Sequence, residues 1–316
     1  MPRLPVRMIG LAIVVPSVLS APAADAQQPA GQTAPAGRAA SLAGPPPGFQ
    51  LNQLEQAYLD QALSAWEHES AKISTFTCGF DRWDFNAWKP APDLPFSKER
   101  GSLSYQKPDK GSFQITKVKQ WTSVPQTTGE QGPPQGDWQE NPNAIGEHWV
   151  CDGASVYEYR HNQKQLVVTP IPEQLQGKSI VDGPLPFLFG AEAAKLKARY
   201  WMKIDPRSND NEIWVAAIPK AQADAANFQG VILILDRQRL LPRAMQIVQP
   251  GGTHVDYIFD IANASINRPV DRLFNALFQS PTKPFGWQLV EEQMPVGGPP
   301  PQANRQALGE PQPATR

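Results

Sequence analysis

Gly101-Ser102-Leu103-Ser104-Tyr105-Gln106-Lys107-Pro108 is the stretch from which the class of this chain can be read. Leu103 and Tyr105 alternate with polar residues, the period of a half-buried strand. Lys110-Gly111 then turns the chain, and Phe113, Ile115 and Lys117 continue the alternation on an answering strand. Further on, Trp149-Val150-Cys151 runs into Asp152-Gly153, a strong short hairpin signal, and residues 156–159 answer it. Residues 165–169 follow after the polar turn His161-Asn162-Gln163. These units read as a meander of antiparallel strands.

Upstream the period is helical. Within residues 51–73, Leu54, Tyr58, Ala62, Ala65, Trp66, Glu69 and Ile73 recur at steps of three and four. Asn52 stands at a cap position, with Glu55 three residues on as its reciprocal partner. This helix is expected to lie across a sheet with Leu54, Tyr58 and Trp66 buried. From Thr75 to Trp83 the period changes to two, around Phe76, Cys78 and Phe80. Downstream, Pro184 and Gly190 bracket the apolar patch Pro186-Phe187-Leu188-Phe189, and residues 190–197 predict a short helix. Strands resume at 198–204, 212–218, 230–235, 241–248 and 254–262. In the last, Val255, Tyr257, Phe259 and Ile261 share one face while Asp256 and Asp260 occupy the other, so one side of the sheet is apolar and one wet. The expected fold class is mainly β within α+β. It is a strongly curved antiparallel sheet, or open half-barrel, with helices covering its concave face.

The ends read differently. Residues 1–26 predict a signal peptide, with Arg3 and Arg7 ahead of an apolar run and Ala24-Asp25-Ala26 as the cleavage pattern. Residues 27–48 form a Pro- and Ala-rich leader and residues 295–316 a tail, both expected to be disordered. Residues 49–294 are then one domain, in which the polar stretch 120–146 reads as a long loop. The formal net charge is −1, and −2 once Arg3, Arg7 and Asp25 leave with the signal. No basic face follows from such a balance, so nucleic acid is not an expected partner. Export permits a disulfide between Cys78 and Cys151 if their strands are neighbours; otherwise both are buried thiols.

No catalytic signature stands out. The four histidines show no paired metal-binding spacing. Ser155 lacks the following glycine of a nucleophile elbow. Residues 205–212 are rich in oxygen ligands but lack the spacing and glycine of a calcium loop, and read as a polar hairpin. No phosphate loop is present, and neither a metal nor a cofactor is implied. The nine tryptophans are core or wall residues taken singly. Together, aromatic side chains on a concave sheet face are able to line an apolar ligand site. Candidates for such a cavity, or for a lid over it, are Tyr105, Phe113, Phe187, Leu188, Phe189, Trp201, Trp214, Tyr257 and Phe259.

The order of these motifs resembles that of the periplasmic outer-membrane lipoprotein carriers, the LolA-like superfamily. Residues 101–108 are similar to that family's strand ending in Lys-Arg-Pro, with Lys107 in place of Arg. Val150-Cys151-Asp152-Gly153 resembles its Ser-Asp-Gly strand end, with Cys151 in the Ser position. Pro186-Phe187-Leu188 resembles the Thr-Pro segment of the movable lid, Ile218-Pro219-Lys220 its Thr-Pro-Lys, and residues 259–267 the strand that ends in an Asn. The whole chain also resembles an exported family described from planctomycetes. The resemblance implies a soluble periplasmic carrier that encloses acyl chains under a helical lid, with Lys107 at the lid-clamp position. The expected function is therefore non-enzymatic: carrying or sequestering a lipid, an acyl chain or a lipoprotein. An envelope sensor or adaptor that binds a protein partner is the alternative, and a hydrolase with a site built from scattered residues is a third reading.

Overall fold

The computed structural model describes residues 44–123, 135–174, 176–177, 188, 192–226 and 228–293. The expected signal peptide, nearly all of the leader, the tail, Phe187 and Phe189 lie outside the described residues.

Helix α1 spans Gln53–Ala71 and begins as its sequence predicts. The Asn52 side chain accepts from the backbone N–H groups of Leu54 and Glu55, while Glu55 accepts from the backbone N–H of Asn52. Such a box satisfies N–H groups that the first turn leaves open, worth about 1 kcal/mol. The buried stripe is Leu59, Ala62, Leu63, Trp66 and Ser70. Leu54 and Tyr58 are instead exposed, at 82% and 40%. The reason is rotational. The helix is turned so that Leu59 and Leu63 join Ala62 and Trp66 against the core, which leaves Leu54 and Tyr58 outside. Tyr58 is left to accept a hydrogen bond from Arg237.

Among the described residues fourteen strands form one large, curved, unclosed sheet. They are β1 Thr75–Phe85, β2 Ser97–Gln106, β3 Lys110–Ser123, β4 Gly136–Glu140, β5 His148–Cys151, β6 Ser155–Arg160 and β7 Gln165–Pro170. After helix α2, Ala193–Arg199, come β8 Tyr200–Ile204, β9 Glu212–Pro219, short helix α3 Gln222–Ala225, β10 Gly230–Asp236, β11 Pro242–Val248 and β12 His254–Phe259. The short strand β13 Ser265–Ile266, helix α4 Arg272–Ala276 and β14 Gln288–Glu291 follow. The spatial order is β14-β7-β6-β5-β3-β2-β1-β12-β11-β10-β9-β8, with β13 beside β1 and β4 beside β3. Every pairing among the described residues is antiparallel except β14 on β7, which is parallel.

Two parts of this sheet depart from the sequence reading. The stretch read as a loop, 120–146, contributes the end of β3 and all of β4, joined through Trp121 opposite Trp138; its middle, 124–134, lies outside the described residues. The C-terminal stretch 265–291 carries β13, α4 and β14. Asn267 closes the base of this sheet: its Oδ1 accepts from the Ser74 backbone, and its Nδ2 donates to the Lys72 carbonyl. It thereby ties the end of α1 to the start of β1.

The core lies between α1 and one face of the sheet. Alternate residues supply it: Phe76, Cys78 and Phe80 from β1, Leu103 and Tyr105 from β2, Val215 and Ala217 from β9, and Val231, Leu233 and Leu235 from β10. This is the period-two pattern expected of a sheet with one buried face. Gly101 is needed at its place. A Cβ there would stand 2.5 Å from the Phe80 ring and 2.3 Å from the Gln114 carbonyl oxygen. The register of β2 on β3 shifts at Arg100/Gly101, where this close approach occurs.

Candidate functional site

On the core face, aromatic rings from four strands form a row. Trp149 of β5 stacks on Phe113 of β3, with centroids 5.6 Å apart. Phe113 stacks on Phe80 of β1 at 4.8 Å. Phe80 meets Tyr257 of β12 at 5.8 Å, and Tyr257 stacks on Phe259 at 6.0 Å. The register sets this row, because Phe113 lies opposite Trp149 and Phe80 opposite Phe259. Phe80, Phe113 and Phe259 are buried, whereas Trp149 and Tyr257 stay partly exposed. The row is thus apolar along its middle and accessible at two rings.

Beside Tyr257 the same face turns from apolar to ionic. Along β1, Phe76, Cys78 and Phe80 are followed at the same parity by Arg82 and Asp84, all buried. Arg82 lies opposite Glu99 of β2 and bonds it through Nε, and Glu147 through Nη1. Ser97 donates to the other oxygen of Glu99. Burial by itself would lower the Arg82 pKa, but Glu99, Tyr257 and Glu147 outweigh it and hold the guanidinium well above its ordinary range. Its centre lies 6.0 Å from the Tyr257 ring. Sequence reading missed this network. The available signal was charge at inward parity: Arg82 two residues after Phe80, and Glu99 two before Gly101.

The structure divides the sequence-predicted candidates. Tyr105, Phe113, Phe259 and Tyr257 share the core face, and Leu188 is buried in the same core. Burial pushes the Tyr105 phenol up to about 12. Trp201 and Trp214 do not join them. Each alternates with buried core residues, Tyr200 and Met202 for one, Ile213 and Val215 for the other, so both indoles lie on the opposite face. There Lys220 sits 4.2 Å from the Trp201 ring and Arg207 4.4 Å from the Trp214 ring. Lys220 also donates to the Lys197 carbonyl, near the end of α2. Lys107 donates to the Ala71 carbonyl at the last turn of α1 and so fastens that helix end; apart from Leu188, the segment expected to form the lid lies outside the described residues.

The cysteines are free and buried. Cys78 is on β1 and Cys151 on β5, with β2 and β3 between them. Three strand spacings are roughly 14 Å, beyond the reach of a disulfide. Burial raises both thiols, Cys78 to about 12 and Cys151 to about 11, so neither is a ready thiolate. Among the described residues no group of three or more His, Cys, Asp or Glu is arranged to hold a metal ion.

A second aromatic group lies on the other face, where the C-terminal segment meets the sheet. His148 stacks on Tyr159 at 4.1 Å, Tyr159 on His161 at 5.8 Å, and Trp287 stands edge-on to His161 at 5.0 Å. Burial, with His161 adding, lowers His148 from 6.5 to about 4. Between these values the unfolded chain binds a proton that the folded chain refuses, so stability falls as pH drops from 6.5 towards 4. The expected loss is about 1–2 kcal/mol, because partial exposure weakens the full effect of the shift. Urea denaturation across that range checks it: His148→Phe should flatten the slope relative to the unsubstituted protein. An unchanged slope would remove His148 as its source.

What fold and site define is a class of chain: one curved, unclosed sheet whose covered face carries an aromatic row ending at a buried ion network. No family model matches the chain, and no curated protein matches it. Among solved structures it is similar to an uncharacterized conserved protein from Thermus thermophilus, at 8% identity and a TM-score of 0.39, over 74% of this chain and 99% of that one. It is also similar to a LolA superfamily protein from Nitrosomonas europaea, at 10% identity and a TM-score of 0.31, over 67% of this chain and 96% of that one. A third similarity is to the MucA/MucB complex of Pseudomonas aeruginosa, at 11% identity and a TM-score of 0.33. That match covers 71% of this chain and 64% of the other. The family that the motif order resembles is therefore also among the similar structures.

Proposed function

We propose that this chain is an exported, non-enzymatic binding protein of the periplasm that sequesters an apolar chain, from a lipid or a lipidated protein, against the core face of its sheet. The observation that supports this reading is the aromatic row with accessible rings at Trp149 and Tyr257. Arg82 already holds two carboxylates, so the polar end of the row offers no unpaired cation to a head group, and affinity would come from the apolar part. Each buried methylene contributes about 0.8 kcal/mol, enough for a long acyl chain to bind without polar specificity. Leu188 is buried in the core beside this face, and Phe187 and Phe189 flank it in sequence as the proposed lid.

Native mass spectrometry with lipid extraction, and titration with a fluorescent fatty acid, test the reading. Replacing Trp149 and Tyr257 by Ser is expected to weaken probe binding about tenfold or more while the fold persists. A wild-type protein that yields no lipid and binds no probe ends the carrier reading. The adaptor reading then leads, and one observation favours it: the C-terminal segment exposes Leu273 at 79% and Phe285 completely. Exposed apolar groups clustered on one segment suit a protein partner. In that case Leu273→Ser with Phe285→Ser should abolish retention of an envelope protein that the unsubstituted chain retains.

A further inference from the structure

On the sheet face away from the core, three strand pairings bring together two cations and three indoles. Trp83 of β1 lies opposite Lys98 of β2, Lys98 lies opposite Lys119 of β3, and Trp121 of β3 lies opposite Trp138 of β4. Their parity is opposite to that of the core residues Arg82, Glu99 and Val118. The Lys98 ammonium stands 4.3 Å from the centre of the Trp138 ring and 5.9 Å from that of Trp83. Trp121 meets Trp138 edge-on at 5.5 Å.

The charges here do not balance in the way they do elsewhere on the molecule. Arg100 pairs with Asp81, and Lys117 with Glu140 at 3.9 Å. Among the described residues no carboxylate lies within the 4 Å of an ion pair from Lys98. Its neighbour on β3 is a second cation, Lys119, which has Glu140 opposite it on β4, and partial burial together with Lys119 lowers the Lys98 pKa. Two indole faces hold the ammonium in place, yet they supply only part of what a carboxylate would. The Nε1–H of Trp121 is buried and lacks a hydrogen-bond partner among the described residues. An ammonium held between indole faces, with no carboxylate at ion-pair distance, is a cation in want of an anion.

We propose that this face binds an acidic sugar unit: a hydroxylated ring carrying a carboxylate or phosphate. Lys98, with Lys119 beside it, meets the anion. The indoles of Trp138 and Trp83 offer flat apolar surface to the ring, and Trp121 supports Trp138 edge-on. The chemistry favours a sugar over an extended polyanion. A nucleic acid needs many phosphate contacts, and a chain of net charge −1 with two facing lysines does not provide them. An acidic peptide would use the lysines but leave three flat rings without a role. This site lies on the other side of the sheet from the aromatic row and does not depend on what that row binds.

Titration of the full chain with trigalacturonate, glucose 6-phosphate, maltotriose and a glutamate pentapeptide, followed by tryptophan fluorescence and calorimetry, tests the site. The expected result is saturable binding of trigalacturonate or of glucose 6-phosphate, the better of the two naming the anion. Maltotriose and the peptide are each expected to bind about tenfold more weakly or worse. Lys98→Met should weaken the acidic-sugar binding about tenfold and leave the thermal melt close to that of the parent. Trp138→Ala should abolish it, and Lys119→Gln, which touches no ring, gives a smaller loss should the tryptophan variant fail to fold. Absence of binding to both acidic sugars overturns the proposal. So does equal affinity for the peptide, for maltotriose or for the Lys98→Met protein.

Discussion

Replacing Arg82 by Met is expected to lower stability by about 3–5 kcal/mol. The substitution conserves much of the side-chain volume but leaves Glu99, itself buried, and Glu147 facing each other without a cation. The cost comes from that uncompensated charge more than from the lost pair, because a buried ion pair is itself offset by desolvation. Adding Glu99→Gln and Glu147→Gln to Arg82→Met should therefore recover a large share of the loss. Urea denaturation at neutral pH measures both. A loss below about 1 kcal/mol in the single variant would mean the network is hydrated in solution, since exposed pairs are worth no more than that.

Gly101→Ala is expected to cost about 3 kcal/mol, at the upper end for overpacking. The added methyl would meet a ring on one side and a backbone carbonyl on the other, and only the ring has somewhere to go. Displacing Phe80 breaks its stack on Phe113, the middle of the aromatic row. The variant should therefore lose near-ultraviolet dichroism together with stability. In a double-mutant cycle, Phe80→Leu should offset part of the alanine's cost, which residues in contact show as a coupling of about 1 kcal/mol or more. Additive losses would place the strain on the Gln114 carbonyl instead.

Much of the sheet was legible because alternation is a local property. Leu103 and Tyr105, Phe113 and Ile115, and Tyr257 and Phe259 each declare a buried face two residues at a time, and the structure puts all six on the core side. The cap of α1 was legible for the same reason, since Asn52 and Glu55 meet within one turn. Strands β4 and β14 were not. They are at most five residues long and carry no sustained apolar alternation, and they exist as strands because β3 and β7 each have an edge to pair with. The inward stripe of α1 was misread by one position. Leu54 and Tyr58 fit a helical repeat as well as Leu59 and Leu63 do, and only the surface α1 packs on chooses between them.

The candidate site shows the same division. That Phe113 and Tyr257 face a core follows from period; that they belong to one row follows from β5, β3, β1 and β12 sharing one face across the sheet. Trp201 and Trp214 looked equivalent to them in sequence, but their parity within β8 and β9 sends them to the other side. Cys78 and Cys151 each sit in a strand, as read, yet two intervening strands keep them apart. By itself the sequence determined the longer elements, the faces of most strands and the mainly β class, because these depend on neighbours a few residues away. Only the tertiary structure decided which faces coincide, which charges are buried together and which edges remain to be paired. Register and strand order join residues far apart in the chain, and no local pattern encodes those distances.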